Sequence, residues 1–260
     1  METELIAAAR RSHAREDDYG PDVARDEGYL DDRAFPPTLD LREPWHDVGD
    51  QGRTTSCVGW ALADSVLRWH HVKAGRLQPH ERLSPRYVWM ASKERDSRID
   101  YPSTMLEEDG TSLKAGLDIV RQFGVPLESE LPWEGRLVTG DPDAFMTSTA
   151  ARKLVRYFNL GDDTVDRREC FDTWRRWLHQ RGPMPVLLAA DRHLGAPGAL
   201  LEAFDADSIQ GSHAAALFGY GPDHFLLRSS WGESWGDKGY ARMSLDYAAQ
   251  AVIESYGVVI

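Results

Sequence analysis

The chain has 260 residues, 42% of them hydrophobic, enough for one large domain or two small ones with a real core. Its 42 acids against 30 lysines and arginines give a net charge of −12, which excludes a typical nucleic-acid binder and gives no attraction to anionic membrane surfaces. Two cysteines cannot build a disulfide framework, and no apolar run approaches the eighteen residues of a membrane span.

Residues 1–34 read as an acidic N-terminal tail or short arm. Ten acids face five arginines over residues 1–33, with few large apolar side chains. Such a segment is expected to be solvated or partly helical, with a short lid over a site as the alternative. The first twenty residues carry no secretory signal pattern, so a reduced, cytoplasmic protein is expected. Phe35 to Glu43 (FPPTLDLRE) reads as extended, because its prolines oppose helix.

From Ser56 the pattern turns helical. Val58, Leu62, Val66 and Trp69 form one stripe at spacings of 4, 4 and 3. Leu83 to Ala91 and Ser112 to Phe123 are also predicted helices, the latter stopped by Gly124. A further helix is predicted over Asp172 to Gln180. Beyond about residue 183 the character becomes β. Val186 to Ala190, His213 to Tyr220, Phe225 to Ser229 and Tyr240 to Ser244 are short apolar runs bounded by Gly, Pro, Asp and Ser. Helices followed by strands predict an α+β fold with a cleft between a mainly helical part, 35–150, and a β-rich part, 151–260.

Cys57 opens the first long helix. A helix N-terminus lowers a thiol pKa, so the spacing points to a nucleophile. Gln51, six residues upstream on a loop flanked by Gly49 and Gly52, offers an amide to a developing oxyanion together with the Cys57 N–H. His213, at the head of a strand, supplies the base that a cysteine needs for acyl transfer.

These blocks resemble the papain-like cysteine peptidases. The resemblance rests on Pro37 to Arg42, the Gln51–Cys57 spacing, the strip Glu108-Asp109-Gly110-Thr111 before a helix, His213 to Gly221, and Ser230 to Tyr240 with its paired Trp-Gly steps. It covers about Phe35 to Ile260. It implies a two-subdomain fold, with a helical left domain carrying Cys57 and a β-barrel-like right domain presenting His213 across a cleft. Gly110 and Thr111 then offer backbone to an extended peptide. Ser112, Leu113, Leu187 and Ala214 line the pocket for the second residue before the cut, where small aliphatic walls suggest an apolar side chain. Trp231 shields the catalytic imidazole.

The departures from the family pattern are informative. Thr54 stands where the family has a disulfide cysteine, and Val58 where it has an aromatic residue; Trp60 is expected to supply part of that bulk. The asparagine that orients the family's imidazole falls, sixteen residues after His213, on Ser229. A hydroxyl reaches less far than an amide, so a weaker hold or a bridging water is expected.

No cofactor or metal is expected. His70 and His71 are adjacent on a helix and read as surface residues, Cys170 reads as a structural thiol, and Asp17-Asp18 and Asp31-Asp32 read as solvated. The expected partner is a peptide or protein substrate, with a regulatory protein as a further possibility. The function read from the sequence is a cysteine endopeptidase of narrow specificity. A weakened or dead peptide-binding module, or an acyl transferase or peptide ligase on the same scaffold, is the alternative.

Overall fold

A computed structural model describes residues 7–13, 18–96, 101–135, 140–195 and 198–260. Residues 1–6 and 14–17 of the tail, Asp17 among them, lie outside the described residues. Among these, no helix is long and apolar enough to cross a membrane.

The helix opened by Cys57 is buried on every side as far as His71. It starts as α-helix over Cys57–Gly59, widens to π-helix over Trp60–Leu67 and returns to α-helix over Arg68–Lys73. The apolar spacing indicated a helix but not the wider turn, since residues four apart share a face in either geometry. Two helices pack beside it, Pro85–Arg95 and Leu113–Gln122, each started by a serine hydroxyl. Ser84 accepts from the Tyr87 N–H and Ser112 from the Ala115 N–H. Gly124, with φ of 93°, stops the second, where a left-handed residue is needed. Gly116 lets that helix approach Leu62 and Val58 of the central one.

Eight strands form one sheet: β1 (Leu39–Asp40), β2 (Arg156–Asp162), β3 (Met184–Ala190), β4 (Leu200–Leu201), β5 (Gly211–Tyr220), β6 (His224–Arg228), β7 (Tyr240–Ser244) and β8 (Val252–Val259). Their order is β2-β8-β3-β5-β6-β7-β4, with β1 added to β5. Every pairing is antiparallel except β4 with β7. The expected α+β class holds, but the β-barrel-like closure does not. The sheet ends at β2 on one side and at the two-residue β4 on the other, and these ends do not pair.

The two faces of the sheet serve two cores. Val186, Leu188, Ala215 and Leu217 face Trp174 and Trp177 of the helix Arg167–Gln180. Leu187, Ala214, Ala216 and Phe218 face the central helix, in one cluster with Cys57, Val58 and Leu62. This alternation, set by the two-residue period of a strand, brings Ala214 against the nucleophile's helix.

A buried ionic network joins sheet and helix. Arg228, at the end of β6, donates to the Asp64 carboxylate at 2.8 Å, the Ser65 hydroxyl at 3.1 Å and the His46 carbonyl at 2.9 Å. Asp64 lies on the π-helical turn and is 3% exposed, while Arg228 is fully buried.

The tail is partly helical, as one form of the expected arm allowed, but it is packed against the core rather than solvated. Residues 21–26 form a helix whose Ala24 is fully buried, and Leu30 enters the core beside it. His70 and His71 are buried rather than on the surface, because the central helix is enclosed through this turn. Asp18 is paired with Lys114 rather than solvated.

Candidate active site

Residues 7–13 run as a strap through the cleft between helix and sheet. The Ala9 N–H donates to the Ser212 carbonyl at 2.8 Å and the Arg10 N–H to the Thr111 carbonyl at 2.9 Å. The strap is parallel to both walls, pairing Ala8 with Ser212 and Arg10 with Ser112. Glycines permit this approach: a Cβ on Gly110 would collide with the Ala8 carbonyl, and one on Gly211 with that of Ala7. Further along, Arg10 pairs with Asp109 at 2.9 Å, and the Ser12 N–H donates to Glu254 Oε1 at 2.6 Å.

Cys57 and His213 lie beneath the strap, both with no solvent exposure. Amide N–H groups of Ala214, Val58, Cys57 and Ala9 favour the thiolate, but burial outweighs them and pushes the thiol up to about 11. Burial also drives the His213 imidazole down to about 3. The covered site therefore holds a neutral thiol and a neutral imidazole. Burial of the sulfur thus outweighs the lowering expected from the N–H groups at the helix start, which is present but smaller.

His213 is held on one edge and on one face. Its Nε2 shares a hydrogen bond with Ser229 Oγ at 3.1 Å, directly and with no bridging water required. Trp231 stacks on the ring, with centroids 3.9 Å apart and planes at 26°. Trp235 packs on Trp231 and is anchored through its N–H to the Leu194 carbonyl at 3.0 Å. His213 Nδ1 is buried without a hydrogen-bond partner.

Gln51 is 1% exposed and held on three sides. Its N–H donates to the Ser230 carbonyl at 2.8 Å, its Oε1 accepts from Ser230 Oγ at 2.7 Å, and its Nε2 donates to the Thr54 carbonyl at 2.7 Å. Thr54 donates to the Gln51 carbonyl at 2.9 Å and shares a hydrogen bond with Ser56, so hydroxyls brace this loop where the family pattern has a disulfide cysteine. Thr55 ties it to the Glu107 carbonyl through both its N–H and its hydroxyl.

The structure brings Cys57, Leu113, Leu187 and Ala214 into one apolar cluster with Ala9 of the strap. Gly110 and Thr111 are buried beneath the strap, and Asp96 anchors them by accepting from the Thr111 hydroxyl at 3.0 Å and the Ser112 N–H at 2.8 Å. Ser112 spends its hydroxyl on the helix cap. Trp60 packs edge-on against Trp133 and fills the space over Gly49. Cys170 lies against Gly161, away from this cluster.

Sequence reasoning missed Ser230, Asp96 and Glu254, and held the strap only as the alternative of a short lid, without its residues. Ser230 was within reach, since it adjoins Ser229 and faces Gln51. The strap's only local sign was three consecutive alanines, Ala7 to Ala9, inside a charged tail.

Residues 35–260 match the family model described as "Papain family cysteine protease". Cathepsin J of Mus musculus is 24% identical over 227 residues, covering 82% of this chain and 61% of its own length. Vignain of Phaseolus vulgaris is 24% identical over 224 residues, covering 81% of this chain and 54% of its own. The chain thus spans little more than half the length of these curated relatives. Among solved structures, xylellain, a cysteine protease from Xylella fastidiosa, has a TM-score of 0.75 at 20% identity and covers 97% of this chain and 95% of its own.

Proposed function

The chain belongs to the papain family of cysteine proteases, and from that premise we propose that it hydrolyses peptide bonds through Cys57 and His213, and that the strap holds it in a latent form. One observation carries the reading. The imidazole is fixed through Nε2 by Ser229 and through its face by Trp231, while Nδ1 stays unpartnered in the same cleft as the thiol.

With Nε2 donating to Ser229, Nδ1 carries the lone pair that accepts the Cys57 proton. The thiolate attacks the peptide carbonyl carbon, forming the S–C bond and moving the π electrons onto oxygen. The Cys57 N–H and the Gln51 amide receive that oxyanion. Collapse breaks the C–N bond, and the imidazolium returns its proton to the leaving amine. Water then attacks the thioester, giving up a proton to His213, and collapse breaks the S–C bond, releasing the acid and leaving the Cys57 sulfur to regain its proton from the imidazolium. None of this proceeds while residues 7–13 fill the cleft, so a substrate or a regulatory partner must displace them.

We assign the protein to a reducing compartment, on the support of Cys57 and Cys170 both being free and Thr54 replacing a disulfide cysteine. The filled cleft also favours a second reading, a module that holds an extended peptide without cutting it. Intact mass after exposure to a cysteine-directed epoxide separates the two. Stoichiometric labelling that Cys57→Ala abolishes, with Cys170 untouched, supports the enzyme. Failure to label either the native chain or a strap-weakened Ala9→Pro chain replaces it with the binding module. An added amine acceptor captured in the product would identify a transferase.

A further inference from the structure

One face of the helix Pro85–Arg95 holds the wall along which the strap runs. Trp89, Lys93 and Asp96 follow at spacings of 4 and 3, so they share that face, with Asp96 as the residue that ends the helix. The Trp89 indole N–H donates to the Asp109 carbonyl at 3.3 Å, and Lys93 Nζ donates to the Leu106 carbonyl at 2.6 Å. Asp96 Oδ2 takes two donors, the Thr111 hydroxyl at 3.0 Å and the Ser112 N–H at 2.8 Å. The same helix packs closely on the start of the central one: a Cβ on Gly59 would collide with the Pro85 carbonyl and crowd Trp89. It therefore ties the wall at 106–112 to the helix that carries Cys57.

Asp96 also sets a direction. It is 5% exposed, and Thr111 and Ser112 are buried with it. The Thr111 carbonyl and the Ser112 N–H belong to one peptide plane, and in a trans peptide they point in opposite directions. Asp96 draws the N–H inward, so the carbonyl is turned outward into the cleft. There it accepts the Arg10 N–H of the strap at 2.9 Å. The Thr111 hydroxyl, bonded to the same carboxylate oxygen, fixes the plane from its other end. Turning the plane breaks a hydrogen bond to a carboxylate, one of the stronger kinds.

We propose that Asp96 is a positioning residue for substrate binding: by holding the Ser112 N–H and the Thr111 hydroxyl, it aims the Thr111 carbonyl at a backbone N–H of the bound peptide. This rests on the cysteine-peptidase reading above. Asp96 touches neither the substrate nor the reacting atoms and acts through the peptide plane it holds. A peptide that displaces the strap takes up the hydrogen bond that Arg10 gives up. Every sequence supplies the carbonyl, and Asp96 supplies its direction. Asp96→Asn keeps one oxygen able to accept both donors, whereas Asp96→Ala keeps none.

The test starts from peptides that the full chain carrying Ala9→Pro cuts out of a random decapeptide pool. In each, one backbone amide at a time, over the three residues before the cut, is replaced by an ester, which removes the N–H. The ratio of kcat/KM for the amide and ester forms is measured on the Ala9→Pro chain alone and with Asp96→Ala or Asp96→Asn. Competition from the strap cancels in that ratio. With Asp96 present, the expected ratio is roughly three- to tenfold at the one position that faces Thr111, the net worth of one hydrogen bond. Asp96→Ala is expected to bring it close to one at that position alone, and Asp96→Asn to keep most of it. A merely structural role would lower all the rates together and leave the ratio as it was. Urea unfolding checks that each variant folds. If Asp96→Ala does not, Thr111→Val, which removes one of the two donors, is expected to lower the ratio in its place. A ratio near one at all three positions with Asp96 present, or one that the folded variants leave unchanged, overturns the positioning role, while continued cleavage preserves the peptidase reading. No cleavage of any peptide in the pool overturns both.

Discussion

The Ala9 amide donates to the Ser212 carbonyl at 2.8 Å, one residue before the catalytic-site histidine. That bond fastens the strap directly over the Cys57–His213 pair. Ala9→Pro removes the only N–H that can make it. Losing one backbone hydrogen bond shifts an open–closed balance by about 1 kcal/mol, so Cys57 in this variant is expected to react with iodoacetamide roughly fivefold faster than in the native chain. The rate is read by mass spectrometry, with Cys57→Ala as the blank. An unchanged rate would show that the strap does not control access.

The contact between His213 Nε2 and Ser229 Oγ fixes the ring's rotation. Ser229→Ala leaves the stacking on Trp231 but frees that edge. The net value of one hydrogen bond predicts a three- to tenfold fall, roughly, in kcat for a peptide amide substrate, with KM little changed. A larger effect on KM than on kcat would place Ser229 in substrate binding instead.

Much of this site was legible because its chemistry sits in local blocks. Gln51 and Cys57 are six residues apart, and His213 and Ser229 begin and end a hairpin. The β-rich half was legible for a similar reason: β3 and the middles of β5 and β6 are apolar runs, and buried strands read that way. What stayed hidden depends on distant pairings. β2 and β8 lie about a hundred residues apart in the sequence and hydrogen-bond to each other, β8 also to β3. A short lid from the tail was an alternative reading, but which residues form it was hidden, because its binding uses backbone atoms, which every sequence supplies, and because alanine carries no patterning signal. Glu254 looked like an ordinary strand residue until the register placed it beside Leu187.

Arg228 and Asp64 are expected to be the most sensitive pair for stability. Arg228→Met leaves the buried Asp64 with only its longer contacts to Arg68 at 3.6 Å and Arg82 at 3.8 Å, so the loss is expected to fall at or below the roughly 3–5 kcal/mol of a fully broken buried pair. The double variant Arg228→Met with Asp64→Leu removes both charges and is expected to recover most of that loss. Urea unfolding of the two single variants and the double variant measures the coupling. Because Arg228 directly precedes Ser229 and Asp64 lies on the helix of Cys57, Arg228→Met is also expected to slow Cys57 alkylation in the Ala9→Pro background. If the double variant is as unstable as the single one, the network is held by the Arg228 contacts to His46 and Tyr240 rather than by the ion pair.

Acid is expected to destabilise the fold beginning near pH 6.5. Burial holds His46 and His213 at about 3 and His70 and His71 at about 4, against about 6.5 for an unfolded histidine. Between those limits the unfolded chain binds protons that the folded chain refuses, so stability falls as pH falls, by about 1.4 kcal/mol per pH unit for each proton. Glu128 and Glu254 act in the opposite direction, since burial raises both and the folded chain takes up their protons first. Four histidines against two carboxylates leave a net loss on acidification. His71 is the cleanest probe, because neither of its ring nitrogens has a hydrogen-bond partner. His71→Leu therefore sacrifices no bond and removes one refused proton. Its urea midpoint is expected to match or exceed the native value at pH 8 and to exceed it by a wider margin at pH 5. Equal pH slopes in the two proteins would mean that His71 is already protonated in the folded state.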